Sequence, residues 1–265
     1  MSPQTPDQSP RQTASNRSLR LPDGIRALLF DLDGVLTKTA TVHAAAWKQM
    51  FDEFLHARAQ ESGEQFVPFD EVDDYDQYVD GRPRDDGTRG FLDSRGITVP
   101  EGSPDDPPSA VTVHGLSTRK NELVQQKIKS DGVETYSGSV DFVQAARAAG
   151  YATAVVSSSA NTQDVLAVTG LTDLFDARID GKVAAEQHLP GKPAPDTFLA
   201  GAAALGVPPS DAVVFEDALA GVEAGRAGHF GLVVGVDRVG QAAALREHGA
   251  DVVVSDLSEL LEGAP

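Results

Sequence analysis

The stretch RALLFDLDGVLTKTA constrains this chain more than any other, because an apolar run, Ala27 to Phe30, reads as a buried strand and ends directly on Asp31 and Asp33. Carboxylates at positions i and i+2 leave a strand on the same side, and the carboxyl-terminal edge of a buried parallel strand is where α/β proteins meet ligands. Two such charges repel unless a metal ion, a shared proton or a cationic neighbour intervenes. Gly34 then permits a sharp exit. Taken alone, D-x-D-G has a plain alternative, an acidic strand end running into a turn.

Three later segments weigh against that alternative: VVSSSAN with Ser157, GKPAPDTF with Lys192, and VVFEDALAGVEAG with Glu216 and Asp217. Each adjoins an apolar run, and each brings a different chemical group. A carboxylate can attack phosphorus and split one hard transfer into two easier ones, which is the role expected for Asp31. Asp33 is placed to act as general acid and base on the leaving or attacking oxygen. Lys192, in a loop stiffened by Pro193 and Pro195, can neutralise both Asp31 and a transferring phosphoryl group, although a lone loop lysine is usually just solvated and the motif carries this reading. Ser157 can donate its hydroxyl and nearby backbone N–H groups to a phosphoryl oxygen, although a serine after a strand also serves simply as a turn residue. Magnesium is typically held by one or two protein carboxylates plus substrate phosphate, and Asp31 and Asp217 are the expected ligands. Glu216 joins them directly or through water, unless one of the pair caps the helix that follows.

The ordered set of four segments resembles the four motifs of the haloacid-dehalogenase-like superfamily of phosphoryl-transfer enzymes, from about Ala27 to the last strand near Val254. That resemblance implies the same roles for Asp31 and Asp33, and it adds the backbone carbonyl of Asp33 as a metal ligand.

The composition narrows the setting. At 265 residues the chain has room for a core domain with an inserted module. The absence of cysteine removes disulfides, thiolate nucleophiles and cysteine metal sites. A net charge of -18 argues against nucleic acid as a partner, since that backbone is bound by Lys and Arg. No apolar stretch approaches the roughly 20 residues of a membrane span, and the N-terminus lacks the apolar core of a secretory signal. A soluble, cytoplasmic protein, monomeric or weakly dimeric, is expected.

Residues 1 to about 20 are rich in Ser, Gln, Pro and Thr and are expected to form a disordered tail; Arg11, Arg17 and Arg20 leave a weak contact or targeting segment as the alternative. From Thr135 onward helical and β-branched runs alternate, with strands expected at Ala152–Val156, Ala212–Phe215, Gly231–Val236 and Asp251–Val254. The fold class expected is α/β, a Rossmann-like parallel sheet built from residues 21–39 and 135–265. Residues 40–134 break the rhythm and are expected to form an inserted, mostly helical cap able to hinge over the carboxylates.

In that insertion Thr39, His43 and Trp47 fall at i, i+4 and i+8, along one helix face. They suit either a face looking onto the site or, for Trp47, ordinary core. The string LTKTATVHAAAW, with GRPRDD carrying Arg84 and RKN carrying Lys120 and Asn121, resembles the cap of the β-phosphoglucomutases. The resemblance implies that Arg84 grips the distal phosphate, while His43 and Lys120 recognise the sugar and couple closure to Asp33. It also places Ser159 and Asn161 at the distal phosphate. One departure stands out: those enzymes usually carry a lysine between this serine and asparagine, and here Ala160 takes its place. The expected activity is Mg2+-dependent interconversion of β-glucose 1-phosphate and glucose 6-phosphate through a bisphosphate. The alternatives are a sugar-phosphate phosphatase and a non-catalytic sugar-phosphate sensor.

Overall fold

Six short strands pair in parallel into one sheet of order β3-β2-β1-β4-β5-β6. They are β1 (Ala27–Phe30), β2 (Ala152–Val156), β3 (Ala177–Ile179), β4 (Ala212–Glu216), β5 (Leu232–Val236) and β6 (Val252–Val254). This is a computed structural model, and it describes residues 19–262. β1 lies in the middle, with Phe30 in register with Val155 of β2 and Phe215 of β4. Asp31, Ser157 and Asp217 follow these three strands, and Glu216 ends β4, so chemistry scattered through the sequence arrives at one edge.

The central strand β1 is continuously apolar, and β4 and β5 nearly so, because both faces of the sheet are covered. Alternate residues point opposite ways, and Leu28, Phe30, Val213, Phe215 and Val234 enter one core with Phe142 and Val143 of α4 (Ser137–Ala148) and Val165 of α5 (Thr162–Thr169). Ala27, Leu29, Ala154, Val214 and Val233 enter the other. There they meet Phe198 of α7 (Asp196–Ala204), Val222 of α8 (Leu219–Ala227) and Leu245 of α9 (Ala242–His248). A short α6 (Gly181–Glu186) follows β3.

Between β1 and β2 the chain forms α1 (Thr39–Ser62), a π-helical turn (Tyr75–Val79), α2 (Arg84–Ser94) and α3 (Val113–Asp131). Their shared core is aromatic: Phe51 packs on Phe91 at 4.1 Å and on Trp47 at 5.2 Å between ring centroids. The two connections to the sheet run side by side. Thr37 pairs antiparallel with Thr135, Lys38 N–H donates to Glu134 O at 2.9 Å, and Tyr136 N–H donates to Leu36 O at 2.9 Å.

The first two expected strands form with the expected bounds, the other three with a shift of one residue at one end, and β3 is an addition. With three residues, one of them Arg178, an edge strand of this kind carries little apolar signal. Leu19 and Arg20, assigned by composition to the tail, instead pair with Leu261 and Leu260. The rest of that tail, residues 1–18, lies outside the described residues.

Phe215 is fully buried, stacked on Phe30 at 4.6 Å and edge-on to Phe142 at 5.4 Å. Phe215→Ala is expected to lower the unfolding free energy by about 3–5 kcal/mol, as a cavity at the sheet centre should. Urea denaturation checks this, and a loss below about 1 kcal/mol would mean that the core collapses around the gap.

Candidate active site

Lys192 is the centre of the site. Its ammonium lies 2.5 Å from Asp31 Oδ1 and 2.5 Å from Glu216 Oε1, and it donates to Val156 O at 3.2 Å, with the side chain 1% exposed. Burial alone would lower its pKa, but the two carboxylates raise it above the ordinary lysine value. Burial raises Asp31 to about 6 and Glu216 to about 7 against the opposing pull of Lys192.

Asp31, Glu216 and Asp217 bring carboxylate oxygens within 4.8 Å of one another. Within this trio Glu216 is already engaged on both oxygens, since its Oε2 accepts from Ala218 N–H at 3.0 Å. That bond steadies the turn before α8, whose N-cap position is Ala218 without a side-chain cap, so neither acid takes the capping role the sequence left open. The Asp217 carboxylate accepts no hydrogen bond from the described residues, and burial followed by repulsion from Asp80 lifts its pKa well above the usual range. It lies against Gly34, where an added Cβ would stand 1.6 Å from Asp217 Oδ2 at a backbone φ of +85°. Only glycine fits there. An oxygen-only, anionic donor set with an uncompensated carboxylate suits a hard divalent cation.

Asp33 points away from this trio toward the cap. Thr39 Oγ1 donates to its Oδ1, Ser157 Oγ donates to its Oδ2 at 3.4 Å, and His43 Nε2 stands 3.7 Å from Oδ1. Burial raises the Asp33 pKa against these donors. Lys120 Nζ lies 2.9 Å from His43 Nδ1 and 4.6 Å above the Trp47 ring. With Lys120 as donor, Nδ1 accepts and the imidazole proton belongs on Nε2, facing Asp33. Burial, then the neighbouring charge of Lys120, holds the His43 pKa well below its usual value, so the ring is neutral. Burial and Arg84 lower Lys120 to about 7.

A cavity of about 370 Å³ lies between sheet edge and cap. Asp31, Asp33, His43, Trp47, Arg84, Lys120, Asn121, Ser157, Ser159, Asn161 and Asp217 all line it. Thr39, Lys192 and Glu216 stand behind its wall and act on lining residues. Trp47 is therefore both core and wall. Asn161 is largely committed to the cap: its Nδ2 donates to Asn121 Oδ1 at 2.9 Å and its Oδ1 accepts from Gln125 at 3.1 Å, which leaves one amide hydrogen for a ligand. Arg84 opens α2 with its Nε buried, without a hydrogen bond, 3.8 Å from Asp85.

Sequence reasoning missed Asp80, Tyr75, Ser158, Arg82 and Thr197, which also line the cavity. Burial and Glu216 raise the Asp80 pKa to about 8, although within DEVDDYDQYVDG it reads as one more solvated acid. Ser158 Oγ donates to Gly81 O at 2.7 Å and so ties cap to core. Its adjacency to Ser157 was the only signal.

The family profile of haloacid dehalogenase-like hydrolases matches residues 25–229. The chain belongs to that family. It is 57% identical over 249 residues to the β-phosphoglucomutase of Mycobacterium bovis, an alignment covering 93% of this chain and 95% of that one. It is 32% identical over 245 residues to the validoxylamine A 7′-phosphate phosphatase of Streptomyces hygroscopicus subsp. limoneus, covering 89% and 95%. Among solved structures, the β-phosphoglucomutase of Clostridium difficile superposes with a TM-score of 0.69 at 25% identity, covering 89% of this chain and 93% of that one. The protein is thus an enzyme of the haloacid dehalogenase-like phosphotransferase type. No helix among the described residues is long and apolar enough to cross a membrane.

Asp31, Glu216 and Asp80 keep their protons to about pH 6, 7 and 8 in the folded chain, above the carboxylate range of roughly 4 in the unfolded one. The folded state then binds more protons, so stability falls as pH rises through that window. In the presence of a chelator the thermal midpoint is expected to drop between pH 5 and pH 8, and a divalent cation to raise it more at pH 8. Equal stabilisation by the cation at both pH values would contradict a carboxylate-held site.

Proposed function

We propose that this chain is a β-phosphoglucomutase, interconverting β-glucose 1-phosphate and glucose 6-phosphate through a hexose bisphosphate. The observation that carries the reading is one cavity lined together by Asp31, Asp33, Arg84 and Ser159, with Lys192 paired to Asp31 behind its wall and His43 3.7 Å from Asp33. The 57% identity to the mycobacterial β-phosphoglucomutase supports the substrate.

Asp31 attacks phosphorus as the bond to the sugar oxygen breaks, giving an aspartyl phosphate, while Asp33 delivers a proton to the departing oxygen. In the second half Asp33 takes the proton of the incoming hydroxyl and the phosphoryl group leaves Asp31 for it. Lys192 keeps Asp31 ionised and balances the anionic charge beside it. Ser157, whose hydroxyl already reaches Asp33, and the N–H groups of its loop receive a phosphoryl oxygen. Asp31, Asp217 and the Asp33 carbonyl would hold Mg2+, with Glu216 in support. When bound, Mg2+ supplies charge neutralisation at the phosphoryl oxygens. His43 and Lys120 orient the sugar and link its presence to the acid–base carboxylate, Thr39 steadies that carboxylate, and Trp47 offers an apolar face. Asn121 and Asn161 join cap to core beside the distal phosphate, which Arg84 grips.

Asp31→Asn is expected to abolish phosphoryl transfer to the limit of detection, because an amide does not attack phosphorus. Single-turnover transfer from labelled β-glucose 1,6-bisphosphate measures it, and near-normal transfer would remove the aspartyl-phosphate route.

A sugar-phosphate phosphatase is the second reading, favoured by Ala160 at a cation position and by the similarity to the validoxylamine phosphatase. The ratio of glucose 6-phosphate to inorganic phosphate formed from β-glucose 1-phosphate, with catalytic bisphosphate and Mg2+, separates the two. The parent protein is expected to form glucose 6-phosphate with measurable phosphate release. Ala160→Lys should lower that release and Arg84→Ala should raise it, each by roughly tenfold for one charge-assisted contact. Phosphate alone, at every bisphosphate concentration, assigns the enzyme to the phosphatases.

A further inference from the structure

The mutase reading leaves Arg82 without a role, although it lines the cavity two residues before Arg84. Its position is set by contacts on both sides. On one, Ser158 Oγ holds Gly81 O at 2.7 Å, and a Cβ added to Gly81 would lie 2.8 Å from Ala218 Cβ. On the other, Pro83 packs so closely on Gly191 that a Cβ there would lie 1.9 Å from Pro83 Cγ. Arg82, between them, therefore leaves the cap loop beside the wall that carries Ser158, Ser159 and Ala160.

The charges in the cavity make this position matter. Asp31, Asp33, Asp80, Asp85, Asp86 and Asp217 line it, against three basic side chains, Arg82, Arg84 and Lys120. Lys120 is held by His43 at 2.9 Å, and Arg84 has Asp85 beside it at 3.8 Å. Arg82 is tied only through its backbone N–H, to Val79 O at 3.4 Å, and its guanidinium has no carboxylate or hydrogen-bonding partner among the described residues. Lys192, buried between Asp31 and Glu216, serves the reacting end. A phosphate dianion at the other end of so acidic a cavity needs more compensation than one half-neutralised arginine. A guanidinium offers full charge and a two-pronged donor set for it.

We propose that Arg82 is a second ligand of the non-reacting phosphate, supplying from the cap the cation that Ala160 does not supply from the core. The proposal rests on the mutase reading for the identity of the ligand, a hexose bisphosphate. Both cations for that phosphate then belong to the cap, so retention of the bisphosphate depends on the cap staying against the sheet edge.

The test is calorimetric titration of glucose 1,6-bisphosphate, with Mg2+, into the Asp31→Asn protein, which does not accept the phosphoryl group. In that background R82A is expected to weaken binding on the order of 10- to 100-fold, R82K less, and R82A/A160K to recover most of the loss. Binding should also depend less steeply on salt in R82A. Thermal midpoints near that of the Asp31→Asn parent, checked for R82A and R82K alike, keep a folding defect apart from a lost contact. Unchanged affinity in R82A overturns the proposal, and so does an R82A/A160K protein that binds as weakly as R82A. Failure of the mutase reading appears elsewhere: the unmutated protein would release only phosphate from β-glucose 1-phosphate, while R82A still weakened bisphosphate binding.

Discussion

One buried ammonium organises the catalytic edge of this protein. Lys192 meets the carboxylate that follows β1, the last carbonyl of β2 and the carboxylate that ends β4, so three neighbouring strands terminate on a single charge. Taking that charge out of water is tolerable only because two carboxylates and a carbonyl receive it. Removing Lys192 would leave two carboxylates uncompensated in a site with little solvent. The Phe198 ring, 4.8 Å from the ammonium, closes the remaining side. The arrangement also sorts the acids. Asp31 and Glu216 face the cation, Asp217 lies over Gly34 with no donor among the described residues, and Asp33 turns to the cap.

The cap completes what the sheet edge leaves open. Its contacts with the core combine hydrogen bonds, Thr39 on Asp33, Gly81 under Ser158, Asn121 and Gln125 on Asn161, with the packing of Pro83 on Gly191 and of Ile128 and Val133 on the sheet's core. Such bonds are individually modest because water competes for each partner. The aromatic packing of α1, α2 and the loop around Phe69, by contrast, is internal to the cap. Two paired connections, at Leu36–Lys38 and Glu134–Tyr136, join these helices to the sheet.

Local pattern carried much of this into the sequence. Strand ends followed by Asp31, Ser157 and Asp217 were legible because β-branched apolar runs and the residues just after them are adjacent in the chain. The face of Thr39, His43 and Trp47 was legible from the helical repeat. Asp80 and Arg82 were not, because their importance comes from residues far away in sequence: Asp80 is a solvated acid until the cap loop sets it near Glu216 and Asp217, and Arg82 is an ordinary loop arginine until Pro83 meets Gly191. Glu216 reads as a metal ligand, direct or through water, with helix capping as the alternative; the structure adds that Lys192 and Ala218 N–H approach its two oxygens, while its ligand atom stays within 4.8 Å of those of Asp31 and Asp217.

The sequence by itself determined the parallel α/β architecture, the placement of a helical insertion after the first strand and the position of carboxylates at the strand ends, since periodicity and strand-end chemistry are local properties. Only the tertiary structure decided which carboxylate faces which partner. It set Lys192 between Asp31 and Glu216, gave Asp33 to Thr39, Ser157 and His43, and brought Asp80 and Arg82 to the cavity. Charges titrate and bind according to what lies within a few ångströms in space, and the cap brings to the sheet edge residues that are far from it along the chain.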